Sequence, residues 1–313
     1  MGTPEFALPS LEALAGSKHK AVGVISAPPK PAGRGLEVKS SAVERRALEL
    51  GLEVRTPEKL KDPGFLGWLR DLNPDVAAVV AFRYLPREVF SLPRKGSVNL
   101  HASLLPKYRG AAPINWAIYH GERKTGVTTF LLDDRVDTGA ILTQRDCLIG
   151  ADETAGELGQ KLSRLGAELL LETLDGLEGG TLMPVPQSET GASQAPKLKK
   201  EDLFICWDKP VVQVHNQIRA FSPAPGAWSK LGGDIVKIYK SRVLSSTSEP
   251  AGNAANRPGS WLYFDDKAGL AVQCGEGAVE LLELSLEGRK KLTGPEFARG
   301  QKRLADTTFE SSV

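Results

Sequence analysis

The chain has 313 residues, of which 41% are hydrophobic and 25% charged, and its formal net charge is +2. That length favours two domains with real cores, and the balance is that of an ordinary globular protein. No apolar run approaches the ~20 residues of a membrane span, and no basic-then-apolar leader stands ahead of Leu8. Cys147, Cys206 and Cys274 are too scattered for a disulfide framework or a zinc knuckle. His19, His101, His120 and His215 show no metal-ligand spacing. A cytoplasmic location and no structural metal are therefore expected.

Thr3 can cap a helix over 3–15, with Pro4 at its first position and Leu8, Leu11 and Leu14 in an apolar stripe. Residues 21–26 read as a short buried strand. A doubly wound fold should place a strand ahead of the first helix, yet the chain opens at the turn itself. The expectation is that the native protein starts upstream. Residues 27–40, rich in Pro and Gly, read as a loop. There Gly33 and Gly35 leave the Arg34 guanidinium exposed and suited to phosphate, although on these residues alone an ordinary solvated loop is the preferred reading. A helix over 41–50 and a short strand over 54–56 follow. Phe65, Leu66, Trp68, Leu69 and Leu72 form one helical face, and residues 76–82 are continuously apolar, as buried parallel strands are.

Val98, Leu100 and Ala102 alternate with Ser97, Asn99, His101 and Ser103, which is strand periodicity. Pro106 ends that strand. Residues 112–120 read as a short helix with Trp116 inward, and 127–132 as a strand with a hairpin partner at 141–149. Leu158, Leu162, Leu165, Leu169, Leu170 and Leu174 recur at helical spacing over 153–178, and Gly179-Gly180 stops the helix. Residues 184–202 hold three prolines, no periodicity, and Lys197, Lys199 and Lys200, so they read as a linker. Its lysines either line an RNA backbone or simply stay in water. A helix over 211–220 precedes short strands at 234–244, 259–264, 269–274 and 277–286, the pattern of a small barrel. Residues 245–258 are a low-complexity loop, and 305–313 are expected to fray. From Lys197 onward there are 17 Lys+Arg and 14 Asp+Glu, a balance of +3, against 23 and 24, or −1, before it. The sign suits an anion-binding appendage, although on charge alone a solvated surface of mixed charge is the commoner reading.

The chemistry concentrates between Gly96 and Gly139. Period-2 geometry puts Asn99 and His101 on one strand face. Asp137 lies in a turn just past a strand's carboxyl end, the edge where sites assemble in open α/β sheets. Asn is a neutral donor, His donates, accepts or shuttles a proton, and an adjacent Asp favours the charged imidazolium. Together they suit attack on a carbonyl, with donors on the oxyanion while a proton moves. Ser103 shares the face but lacks a G-x-S-x-G context, which favours direct transfer to an external nucleophile. Singly, a strand histidine is more often structural and an Asp-Thr-Gly turn only a turn. Their joint placement is what points to a site.

Asn99-x-His101, the run Ser103-Leu104-Leu105-Pro106-Lys107-Tyr108-Arg109-Gly110-Ala111-Ala112-Pro113, and Asp137-Thr138-Gly139 resemble the 10-formyltetrahydrofolate-dependent formyltransferases. Gly2-Thr3-Pro4-Glu5-Phe6-Ala7 and Ala195-Pro196-Lys197-Leu198-Lys199-Lys200-Glu201-Asp202 extend the likeness over nearly the whole chain, the last ten residues aside. The resemblance implies an α/β architecture: a Rossmann-like catalytic domain over 1–183, a basic linker over 184–202, and an OB-like β-barrel domain over 203–313. It implies 10-formyltetrahydrofolate as donor, lying along Ser103, Leu104, Leu105 and Pro106. The acceptor would be the amino group of methionine on initiator tRNA, for translation initiation. Asn99 and His101 would hold the oxyanion, and Asp137 would hold His101. Pro31-Ala32-Gly33-Arg34-Gly35 matches the family's basic loop, so Arg34, Lys197, Lys199 and Lys200 become tRNA-binding candidates. The family carries a short apolar strand ahead of Gly2, and a Tyr-Gly pair with one more residue where Arg83-Tyr84-Leu85-Pro86 stands here. A monomer without metal is expected. The alternatives are a formyl-folate hydrolase, an amino-sugar formyltransferase, or an inactive RNA-binding relative.

Overall fold

A computed structural model describes residues 1–32, 37–244 and 257–311. The chain first forms α1 (Leu8–Ala15), β1 (Val24–Ile25), β2 (Lys30–Ala32), β3 (Glu37–Lys39), α2 (Ala42–Glu49), β4 (Val54–Arg55), α3 (Pro63–Asp71), β5 (Ala77–Val80), α4 (Arg87–Phe90) and β6 (Ser97–His101). Next come α5 (Pro113–Tyr119), β7 (Lys124–Leu131), β8 (Ile141–Leu148) and the long α6 (Ala155–Glu178). The remainder is α7 (Val211–Ala220), β9 (Ala227–Leu231), β10 (Asp234–Val243), β11 (Trp261–Asp265), β12 (Gly269–Gln273), β13 (Ala278–Leu286), β14 (Leu292–Thr293) and α8 (Gly294–Gly300). Two compact units result. One holds Met1–Pro113, Lys124–Leu148 and Gly159–Pro196; the other holds Ile114–Arg123, Ile149–Leu158 and the chain from Lys197. Two short segments from the N-terminal half thus belong with the C-terminal unit, an arrangement that continuous boundaries do not describe.

In the first unit the hydrogen-bonded order is β5-β6-β7-β8. β5 and β6 run parallel, and β7 and β8 return antiparallel. Val79, Val80, Val98, Leu100, Val127 and Phe130 are almost fully buried, each removing about 1.5–3 kcal/mol worth of apolar side chain from water. A Cβ on Gly166 would come within 2.6 Å of Leu100 Cδ2, so this helical glycine lets α6 lie close on β6. β1 pairs in parallel with β4, apart from this sheet. Met1 and Gly2 sit between the two pieces: the Met1 amine donates to Ala78 O at 2.6 Å, Val80 N to Met1 O at 2.9 Å, and Gly2 N to Ile25 O at 3.1 Å. A cavity of about 410 Å³ lies beside them, lined by Leu11, Val24, Leu69 and Leu174 among others.

Several local expectations need correction. The first helix opens with a 3-10 turn over Glu5–Ala7 and has no side-chain cap, so Thr3 does not cap it. Within 27–40, expected as a loop, β2 and β3 pair antiparallel. Ser41 and Asp62 cap α2 and α3 by accepting from Glu44 N and Phe65 N. Trp116 is half-buried, and Ala117 and Ile118 supply the inward face instead.

The second unit carries one antiparallel sheet in the order β11-β12-β13-β10-β9, with β14 on β13. Residues 309 and 310 join its two ends. Glu310 N donates to Lys230 O on β9, and Phe309 N to Gly259 O just ahead of β11. The expected frayed tail is therefore anchored: Phe309 is 3% exposed, with its ring 4.8 Å from Trp207 and 5.1 Å from Trp261. β9, β14 and α8 went unread in the sequence. α8 has a complete capping box between Thr293 and Glu296. Within the proposed low-complexity loop, 245–256 lie outside the described residues. Among the described residues no helix is long and apolar enough to cross a membrane.

Candidate active site

β6 delivers Asn99 half-buried and His101 buried. Period 2 puts both on one face of β6. The third group arrives by a less direct route than the sequence implies. β7 is antiparallel to β6, so its carboxyl end at Leu131 pairs with Val98, at the start of β6. The β7–β8 loop therefore has to travel back along β6. It does so with Asp137 in the left-handed region (φ 55) and with Gly139 so close to β7 that a Cβ would lie 1.7 Å from Leu131 O. Asp137 Oδ2 ends 3.8 Å from His101 Nδ1, with the two side chains 14% and 8% exposed.

The other ring nitrogen is committed. His101 Nε2 lies 2.8 Å from Tyr108 O. A carbonyl only accepts, so Nε2 carries a hydrogen and Nδ1 is the nitrogen open to chemistry. As a neutral ring His101 can take a proton at Nδ1; it can donate there only as the imidazolium, against the Asp137 carboxylate. Gly110 N donates to the same Asp137 Oδ2 at 2.8 Å, which fixes the carboxylate's direction. Tyr108 (φ 60) and Gly110 (φ 125) are also left-handed. The turn after β6 is thus shaped so that two residues, Tyr108 and Gly110, one position removed from each other, touch the two members of the pair.

Ser103 is wholly buried, and its hydroxyl donates to Lys107 O at 2.6 Å, so it closes the turn and is not poised as a nucleophile. Thr128 Oγ1 donates to Ser103 O at 2.6 Å and accepts from Leu105 N at 3.1 Å. Gln144 Nε2 donates to Leu105 O at 2.8 Å. Leu105 is buried, while Leu104 and Pro106 keep part of their surface. Of the four residues expected along folate, these last two offer side-chain surface. In the 83–86 loop the Arg83 guanidinium donates to Pro57 O and Glu58 O, and Tyr84 is exposed.

The 184–202 segment is not a free linker over its first part. Val185 pairs with Ile141, and Ser193 and Ala195 exchange backbone hydrogen bonds with Pro106, Arg109 and Ala112. Arg109, 4% exposed, reaches Gln187 and Glu189. Neither Arg109 nor Gln187 was singled out from the sequence. Arg109 stood inside the recognisable 103–113 run, whereas Gln187 lay in an aperiodic, proline-rich stretch with no signal. Lys197, Lys199 and Lys200 are exposed, in the second unit, with Lys200 Nζ 5.3 Å from the Trp228 ring. Arg34 lies outside the described residues. Among the described residues, His19, Asp175 and Glu178 cluster at ligand distances, but Lys18 ion-pairs with both carboxylates at 3.1 and 2.9 Å.

Residues 1–174 match the family described as Formyl transferase, and 197–302 match Formyl transferase, C-terminal domain. A methionyl-tRNA formyltransferase of Solibacter usitatus is 43% identical over 303 residues, covering 96% of this chain and 94% of that one. One from Chlorobium luteolum is 46% identical over 303 residues, covering 96% and 95%. Among solved structures, an N-formyltransferase from Helicobacter canadensis in complex with folinic acid and dTDP-3-aminofucose is similar in fold. Its TM-score is 0.64 at 21% identity, covering 90% of this chain and 96% of that one.

Proposed function

This chain belongs to the formyl transferase family, and from that premise we propose how its residues perform the transfer. The reaction is formylation of the amino group of methionine on initiator tRNA, in keeping with relatives at 43–46% identity over 96% of the chain that are named methionyl-tRNA formyltransferases. The donor is a folate carrying the formyl group, 10-formyltetrahydrofolate. The fold's likeness to a formyltransferase solved with folinic acid supports that choice. The enzyme acts in the cytoplasm, where aminoacylated tRNA is made and used.

The methionine amine attacks the formyl carbon, the C–N bond to folate breaks, and the amine's proton passes to the departing folate nitrogen. Asn99 donates its amide N–H to the oxygen that becomes negative. His101 donates to the same oxygen from Nδ1, the nitrogen that its bond to Tyr108 O leaves available. Asp137 carries the charge that balances the imidazolium, and through a water it relays the amine proton. Leu104 and Pro106 supply surface against the folate. Lys197, Lys199 and Lys200 meet tRNA phosphates, and Arg34 is assigned the same role on the resemblance of its loop. The observation that carries the site assignment is the 3.8 Å approach of Asp137 Oδ2 to His101 Nδ1 with Nε2 already tied.

The test is direct: purified protein and formyl-folate with aminoacylated initiator tRNA, with an amino-sugar nucleotide, or with water alone as acceptor. Formyl-methionine on the tRNA is the expected product. Formate release at an equal rate without tRNA would make the chain a hydrolase, and preferential formylation of the sugar would make it an amino-sugar enzyme.

A further inference from the structure

We propose that Gln187 is a positioning residue for the transfer, holding the Asp137 turn from behind while Arg109 holds Gln187. The proposal rests on Asp137 acting in the reaction, as assigned above. Gln187 Nε2 donates to Asp137 O at 2.9 Å and to Gly139 O at 2.8 Å, so one amide grips the backbone on both sides of Thr138. Its Oε1 accepts from Arg109 Nε at 3.0 Å and Nη2 at 2.9 Å. Both N–H groups and the carbonyl oxygen are thereby used, and the side chain has one orientation that satisfies them.

The need for such a grip follows from the loop's route. Asp137 is a non-glycine residue in the left-handed region, and Gly139 is pressed on Leu131 O. A loop reaching back along β6 in that conformation requires outside support to persist. The support converges on three consecutive residues. Tyr108 O takes the His101 Nε2 hydrogen, Arg109 holds Gln187, and Gly110 N holds the Asp137 carboxylate. A buried guanidinium needs partners to offset its desolvation. Beyond Gln187, Arg109 has Glu189 at 3.0 Å, whose side chain is 70% exposed. The segment between Val185 and Ala195 therefore carries a part of the active-site frame.

Gln187→Glu separates this role from simple packing. It keeps size and strengthens the Arg109 contact, but it replaces both N–H donors with an oxygen facing two carbonyls. The expected result is a kcat reduced about 10- to 100-fold with KM for both substrates within about 3-fold, in a protein that melts a few degrees lower but is fully folded at the assay temperature. In an Asp137→Asn background the same change should add no further loss, because the residue it positions is already disabled. Wild-type kcat in Gln187→Glu beside an impaired Asp137→Asn would overturn the positioning role and leave the catalytic assignment intact. Losses that multiply in the double variant would also overturn it. Full activity of Asp137→Asn itself would instead remove the underlying assignment. Should Gln187→Glu fail to fold, Gln187→Asn, whose N–H groups are retracted by one methylene, carries the same kcat and double-variant test.

Discussion

Asp137→Asn isolates one property, the charge facing His101. Two unit charges 3.8 Å apart interact by about 4 kcal/mol at an effective dielectric constant of about 20, the value suited to partly buried pairs. If the transition state carries an imidazolium on His101, losing the carboxylate should cost about 10³-fold in kcat at about 1.4 kcal/mol per decade. That lies inside the ~10²–10⁴ range of a positioned proton-transfer group. The fold should barely notice. Asn tolerates the left-handed backbone, and its oxygen can still accept from Gly110 N. Asp137→Ala is the contrasting variant. It puts Ala at a φ of 55, costing about 1–2 kcal/mol, and orphans the Gly110 N–H, costing about 1–3 kcal/mol more. The assay is single-turnover formylation of aminoacylated initiator tRNA at saturating formyl-folate, with a thermal melt of each variant. Both variants should lose turnover alike, and only Ala should melt clearly lower. An Asn variant within about tenfold of wild type, properly folded, would refute the electrostatic argument.

Asn99→Ala should lower kcat by about 10²–10³, as loss of one oxyanion donor does; in pre-steady-state measurements the chemical step should slow while tRNA binding holds. Changing Lys197, Lys199 and Lys200 together to Ala should raise KM for tRNA and reduce the slope of log affinity against log salt by about 2, at ~0.7 per single-stranded phosphate contact. An unchanged slope would remove them from the tRNA path. Burial pushes the His215 imidazole down from its ordinary value. The unfolded chain therefore binds more protons than the folded one as pH falls below that value, so stability present above it is lost toward acid. Denaturant melts at pH 5.5, 6.5 and 8 measure the slope, and His215→Gln should flatten it.

Periodicity alone placed β6 and put Asn99 and His101 on one face, because side chains on a strand alternate whatever the strand packs against. The leucines of α6 and the continuous apolar run of β5 were legible for the same local reason. Sheet direction was not. Nothing in residues 124–131 says that β7 runs antiparallel to β6, so the sequence brings Asp137 toward His101 by a route, off a shared carboxyl edge, that the fold does not use. In the fold, its loop turns back along β6 with a left-handed backbone to reach His101. The segment 184–202 looked like a linker because its anchors, Val185 to Ile141 and Ala195 to Arg109, are long-range backbone pairings that leave no pattern in composition. Phe309 was misread for a similar reason, since its burial depends on Trp207 and Trp261, far away in sequence. What the chain determines by itself is which residues share a face. Which faces meet is decided by long-range closure, and both the 3.8 Å approach of Asp137 to His101 and the support from Gln187 exist only after that closure.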